Sequence, residues 1–287
     1  PKNNSAPTEK LCKCINSWFK IKSIKIQYAI ASFQVILDAF KQPKNIQHKM
    51  GCADLVTETD QQVEEMIIKA IKKTYPSHKF IGEESVAGGL KCNLTDDPTW
   101  IVDPIDGTTN FVHRYPYVAV CLGFCVNKTV KLGIVYNVPN DEMFTAIRGQ
   151  GAFSNGKKLA VSSESDLSKS LIMAEFGSAR DPATVETVLK NMSSVVLNPV
   201  HSIHCMGSAA LNICAVASAQ AEAYYEFGIH CWDYCAASII LEEAGGVTID
   251  TEGGPMDLMA RRIVAACNLT IAEGLRKKLV PIHFPRD

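Results

Sequence analysis

The 287-residue chain carries 29 Lys and Arg against 30 Asp and Glu, a formal charge of −1, and 47% of its residues are hydrophobic. That content suffices for a large buried core. The balanced charge excludes a global field that would hold the chain on nucleic acid or an anionic membrane, and no apolar run, 118–126 included, approaches the ~20 residues that span a bilayer. Eleven Cys, an odd count scattered through apolar segments with no signal peptide in view, read as reduced thiols of a cytoplasmic protein rather than a secreted disulfide framework.

In chain order, residues 1–25 are rich in Lys, Asn and Ser without an apolar period and read as an atypical, mobile leader; 26–287 reads as a single domain. Ile26, Ala29, Ile30, Phe33, Ile36, Leu37 and Phe40 recur at three and four, which predicts an amphipathic helix over 26–40 that ends before Pro43. Thr59 or Asp60 is placed to cap a second helix, with Val63, Met66, Ile67, Ala70 and Ile71 as its stripe and Tyr75-Pro76 as its stop. Strands are predicted at 79–81, 99–102, 118–126, 130–136 and 142–147, a succession that implies a mixed, largely antiparallel sheet. Beyond them come a strand at 171–175, helices at 182–192 and 208–218, a strand at 223–226, a helix at 233–244, strands at 247–250 and 263–266, and a final helix from Thr270. Such alternation predicts a layered α/β (α+β) core.

Carboxylates punctuate these elements. In WIVDPIDGTTNF (100–111) a short apolar strand delivers Asp103 to its end, and Pro104 and Gly107 turn the chain toward a helix, so that Asp103 and Asp106 converge beside the amides of Gly107 and Thr108. Hard oxygen ligands of this kind suit Mg²⁺, and free N–H groups suit phosphate oxygens. The alternative is that both Asp are ordinary turn and capping residues. Glu83 and Glu84 follow a strand, and Asp233 opens a helix, where it too could be a simple N-cap. Four of these carboxylates, Glu83, Asp103, Asp106 and Asp233, stand where apolar elements end and form a like-charged cluster that is costly unless cations neutralise it. Cys12 with Cys14 and Cys231 with Cys235 lack a second pair at zinc-finger spacing, so zinc is not expected.

GEES (82–85), WIVDPIDGTTNF (100–111) and WD (232–233) with the later EAGG (243–246) resemble the paired signatures of the inositol monophosphatase family, and AYYEFGIHCWD (223–233) resembles its animal members. The match spans about 54–266. The resemblance implies an alternating α/β/α/β/α sandwich of the inositol monophosphatase and fructose-1,6-bisphosphatase type, assembled as a cytoplasmic homodimer. It also implies a Mg²⁺-dependent, lithium-sensitive phosphomonoesterase that hydrolyses myo-inositol monophosphates by attack of an activated water, without a covalent intermediate. One Mg²⁺ would rest on Glu83, Asp103 and the carbonyl of Ile105, a second on Asp103, Asp106 and Asp233, and a third, weaker ion near Glu83. Thr108 with Asp60 of LVTETD (55–60) would orient or activate the water, with Glu83 sharing that work; helix capping by Asp60 is compatible with this.

For the substrate, the resemblance implies Asp106, Gly107, Thr108, Gly207, Ser208, Ala209, Glu226 and Asp233 as contacts, the carboxylates accepting inositol hydroxyls. Ser208 reads equally as a helix cap. The metal scheme leaves His113, His201, His204 and His230 little to do as acid catalysts. His204 stands where the animal enzymes carry Arg, and Ser32-Phe33-Gln34 replaces a small Ala-Gly pair, while Lys49 keeps a lid position. A nucleotide 3′-phosphate or sugar phosphate as substrate, and a non-catalytic dimeric paralogue, are the alternatives. No basic cluster near the motifs favours the former.

Overall fold

The computed structural model describes residues 27–40, 42, 46–48, 55–198 and 200–287; the leader over 1–25, the lid residue Lys49 and Asp54 lie outside them. Helices α1 (Gln27–Phe40) and α2 (Glu58–Thr74) form where the three-and-four spacing places them. Phe33 and Ile36 of α1 and Val63, Ile67 and Ile71 of α2 pack with Trp100, Val102, Val120, Leu122 and Ile134 from one face of a sheet. The α2 cap is Thr57, two residues before Thr59, and Asp60 is the third helical residue, closing a capping box with it. A hairpin of β1 (Ile46–His48) and β2 (Leu55–Thr57) precedes α2.

That sheet has seven strands in the order of the chain: β3 (Lys79–Gly82), β4 (Thr99–Asp106), β5 (Ala119–Val126), β6 (Thr129–Asn137), β7 (Glu142–Ile147), β8 (Ala152–Ser154) and β9 (Lys157–Lys158). Only β3 and β4 run parallel. A parallel pair needs a crossover, and it contains α3 (Glu83–Ala87). β4 is longer than its apolar run suggests. It continues past Val102 to Asp106, and its register against β5 shifts between Asp103 and Asp106, where Pro104 cannot donate to the ladder; the short helix α4 (Thr108–His113) follows it.

A second sheet has the order β11 (Ser202–His204), β10 (Leu171–Ala174), β12 (Ala223–Phe227), β14 (Arg262–Ala266) and β13 (Val247–Ile249). Between the sheets lie α6 (Ala209–Ala217) and α7 (Cys231–Glu243). Cys214, Tyr234, Cys235 and Ile239 of these helices pack against Ile101, Cys121 and Val135 on one side and Tyr224, Ile263 and Ala265 on the other. The outer face of the second sheet, with Ile172, Tyr225 and Val264, is covered by Val195 of α5 (Pro182–Leu197) and by Ile271 and Leu275 of α8 (Leu269–Arg276). The layers therefore alternate α/β/α/β/α. Each sheet is covered on both faces, so its strands are nearly continuous apolar runs instead of alternating ones.

Candidate active site

Asp103 and Asp106 flank the register shift in β4, and Asp233 lies in the first turn of α7. Their carboxylate oxygens lie within 4.8 Å of one another. Asp103 is 1% and Asp106 6% exposed. Burial, followed by the charges of Glu83, Asp106 and Asp233, holds the Asp103 carboxyl well above the usual carboxylate range. Burial and then the charges of Asp106 and Glu83 do the same to Asp233. Asp106 is pushed up to about 7 by burial, a rise that the hydrogen bond from Ser208 limits. Among the described residues, no ion pair joins a Lys or Arg to any of these three.

The bland readings of the same residues are partly right. His230, not Asp233, is the N-cap residue of α7, and its N–H donates to Asp233 Oδ2 at 2.6 Å. Ser208 caps α6 by accepting from Leu211 N at 3.3 Å and also donates to Asp106 Oδ2 at 2.5 Å, an oxygen that receives Ala210 N at 2.9 Å as well. Asp60 divides its oxygens. Oδ2 accepts from Thr57 N at 2.8 Å and Thr57 Oγ1 at 2.5 Å, while Oδ1 lies 3.3 Å from Thr108 Oγ1. Thr108 Oγ1 also reaches the Ile105 carbonyl at 3.0 Å, so its single proton is engaged on that side. Gly107 precedes it with φ +90°, and a Cβ there would meet the carbonyls of Gly207 and Tyr117 at 2.9 Å, so only glycine lets the two loops close.

A cleft is lined by Glu83, Asp106, Gly107, Thr108, Gly207, Ser208, Ala209, Glu226 and Asp233, nine of the residues singled out from sequence, with His113 and His230 at its wall. Asp60, Asp103 and Ile105 do not line it. Asp103 joins through the carboxylate cluster, and Asp60 and Ile105 through Thr108. Glu226 is buried, held above its ordinary value by burial and by Glu175, and receives the Tyr224 hydroxyl. His201 and His204 are both exposed and outside the cleft lining.

Two residues that sequence reasoning passed over shape this cleft. Glu175, just past β10, accepts from Met206 N at 2.7 Å, Gly207 N at 2.6 Å and Asn212 Nδ2 at 2.8 Å. Asn110 donates to the carbonyls of Met206 at 2.7 Å and Tyr117 at 2.9 Å. Together they fix the loop ahead of Ser208. The signal for Glu175 was present, since it is one more carboxylate at the end of an apolar strand.

The cluster offers oxygen donors only, two of its three carboxylates buried and all mutually repelling, which fits a hard divalent cation and not a thiophilic one. The profile described as "Inositol monophosphatase family" matches residues 19–283, a wider span than the motifs alone cover. The chain is 52% identical over 270 residues to Inositol monophosphatase 1 of Homo sapiens, covering 94% of this chain and 98% of that one. It is 45% identical over 286 residues to Inositol monophosphatase 2 of Rattus norvegicus, covering 100% and 99%. The fold matches the crystal structure of the extragenic suppressor protein suhB from Bartonella henselae with a TM-score of 0.78 at 30% identity, over 89% of this chain and 96% of that one. The chain therefore belongs to the inositol monophosphatase family.

Proposed function

We propose that this chain hydrolyses inositol monophosphates to inositol and inorganic phosphate with Mg²⁺ as its cofactor. The observation that carries this reading is the convergence of three carboxylates, Asp103 and Asp106 buried and Asp233 half-buried, beside a cleft whose Thr108 is paired with Asp60. Glu83, Asp103 and the Ile105 carbonyl would hold one ion, and Asp103, Asp106 and Asp233 another. When bound, Mg²⁺ supplies charge neutralisation for the phosphate and a lowered pKa for water. The chain's own residues do the positioning. Because the Thr108 proton is directed to Asp60 and Ile105, the lone pairs of Oγ1 would be left to accept from a water and so orient it for attack on phosphorus. Tyr224 occupies Glu226 Oε2, which leaves Oε1 to accept a polyol hydroxyl. Gly207, Ser208 and Ala209 at the start of α6 complete the polyol side of the cleft.

A homodimer is part of the reading. It is supported by Leu189, Val196 and Leu197, large apolar residues exposed on α5. Lithium inhibition and a cytoplasmic location belong to it by family likeness. Among the described residues no helix is long and apolar enough to cross a membrane. The test is phosphate release from inositol 1-phosphate, with adenosine 3′,5′-bisphosphate as the rival substrate, each in Mg²⁺ and in EDTA. Hydrolysis of inositol 1-phosphate that stops in EDTA is the expected result. Preference for the bisphosphate, or full activity in EDTA, would overturn the substrate or the cofactor respectively.

A further inference from the structure

Three donors unused by the cleft chemistry meet at the first turn of α7. Cys92, in the segment after α3, and Cys231, the first residue of α7, are 139 positions apart in sequence, yet their sulfurs lie 3.8 Å apart. A carboxylate oxygen of Asp287 lies within 4.8 Å of both. We propose that Cys92, Cys231 and Asp287 form a second metal site, chemically distinct from the carboxylate cluster, that takes a thiophilic divalent cation of the Zn²⁺ class.

Spacing, support and charge each bear on this. Two sulfurs bound at ~2.3 Å to one tetrahedral Zn²⁺ stand ~3.8 Å apart, so the thiols need not move to share an ion. Sulfur contact alone does not make a site. Cys125 and Cys235 are also 3.7 Å apart, but among the described residues no third donor joins them. The Asp287 carboxylate is 4% exposed and held in place, accepting from Cys231 N at 2.8 Å. His230 Nδ1 is 2.5 Å from its other oxygen, and His230 Nε2 is 3.0 Å from Arg261 Nη2. A guanidinium only donates, so Nε2 accepts and the imidazole proton sits on Nδ1, where it is donated to Asp287. Ligands steadied by such an outer layer of hydrogen bonds are the mark of built metal sites. Binding would release the two thiol protons to solvent. The two thiolates and the carboxylate are then balanced by the cation and the Arg261 guanidinium, whose Nε is 3.9 Å from Asp287 Oδ1. Cys231 is fully buried but Cys92 is only half-buried, which gives the ion a way in. Magnesium prefers oxygen ligands, so the two sites sort ions by donor type.

Co²⁺ is the probe, titrated into the full, phosphine-reduced chain with Mg²⁺ in excess. Sulfur-to-cobalt charge-transfer absorption in the near ultraviolet reports thiolate ligation, which the carboxylate cluster cannot produce. The wild type should develop this band at one equivalent. Cys92→Ser should lose it while keeping Mg²⁺-dependent phosphatase activity, and Asp287→Asn should bind Co²⁺ about tenfold more weakly or worse. Cys125→Ser should match the wild type. Apart from Cys125, the chain's other thiols are common to all four proteins, so differences between spectra isolate this site. No band in the wild type, an equal band in Cys92→Ser, loss in Cys125→Ser, or full affinity in Asp287→Asn would each overturn the site as drawn.

Discussion

Asp233 closes the capping box of α7 through His230 N and also stands in the carboxylate cluster, and one substitution separates these roles. Asn keeps the acceptor for His230 but removes the charge, so a purely capping role predicts a change of only a few tenths of a kcal/mol and intact turnover. A metal role predicts that turnover of Asp233→Asn falls by about 100-fold or more, since a hard ligand is lost. Its melting temperature in EDTA should equal or exceed that of the wild type, because a buried repulsion is relieved, and it should gain less from Mg²⁺. Full turnover together with full Mg²⁺ stabilisation would leave Asp233 as a cap only. Thr108→Ala is expected to lower kcat far more than it raises KM, as a group acting on the attacking water does; the reverse pattern would make it a phosphate contact. Such dual residues explain what the sequence hides. Asp60, Ser208 and Asp233 each satisfy a helix end and reach into the cleft or its supports, and a linear pattern shows only the first.

Helix α2 does more than cover a sheet. Asp60 and Glu64 are one turn apart on it, and while Asp60 meets Thr108, Glu64 accepts from Glu84 N at 2.7 Å, Ser85 N at 2.9 Å and the Ser85 hydroxyl. Gly82, which precedes α3, supplies no side-chain cap, so a carboxylate from another helix satisfies the first turn in its place. A Cβ on Gly82 would lie 2.5 Å from Glu64 Cδ. Burial raises the Glu64 carboxyl against these hydrogen bonds. Glu64→Gln places an amide donor against N–H groups and should shift α3, raising the Mg²⁺ concentration for half-maximal activity several-fold with little change in substrate KM. A change in KM alone would detach Glu64 from the Glu83 position. Sequence reasoning found α2 by its stripe but not α3, because five residues are too few for a helical period. For the same reason β8, β9 and β11 went unseen, and β4 runs on past Val102, where the apolar run stops but the ladder does not.

On the scale of the whole molecule, the cleft exists because both sheets contribute to it: β4 brings Asp106 from one, β12 brings Glu226 from the other, and α6 and α7 are held between them. That stacking was legible through the family motifs and not through periodicity, since α6 is buried at every position and carries no stripe to say which way it faces. One consequence spans the molecule. Asp106 titrates at about 7, and Asp103 and Asp233 lie well above the usual range, whereas an unfolded Asp releases its proton near ~3.9. Through that window the metal-free native state holds protons that the unfolded chain has lost. Its stability is therefore greatest below the unfolded value and falls as pH rises through about 7. On the proposed function Mg²⁺ would take the place of those protons, so its stabilisation should grow with pH over the same interval. Melting temperatures measured from about pH 5 to about pH 8 should decline in EDTA, and the gap between EDTA and Mg²⁺ should widen. In Asp233→Asn the decline should be shallower, because one of the repelling charges is gone. A melting temperature in EDTA that climbs across this range would mean that the three carboxylates are already neutralised by some other group, and that the cluster is no cation site.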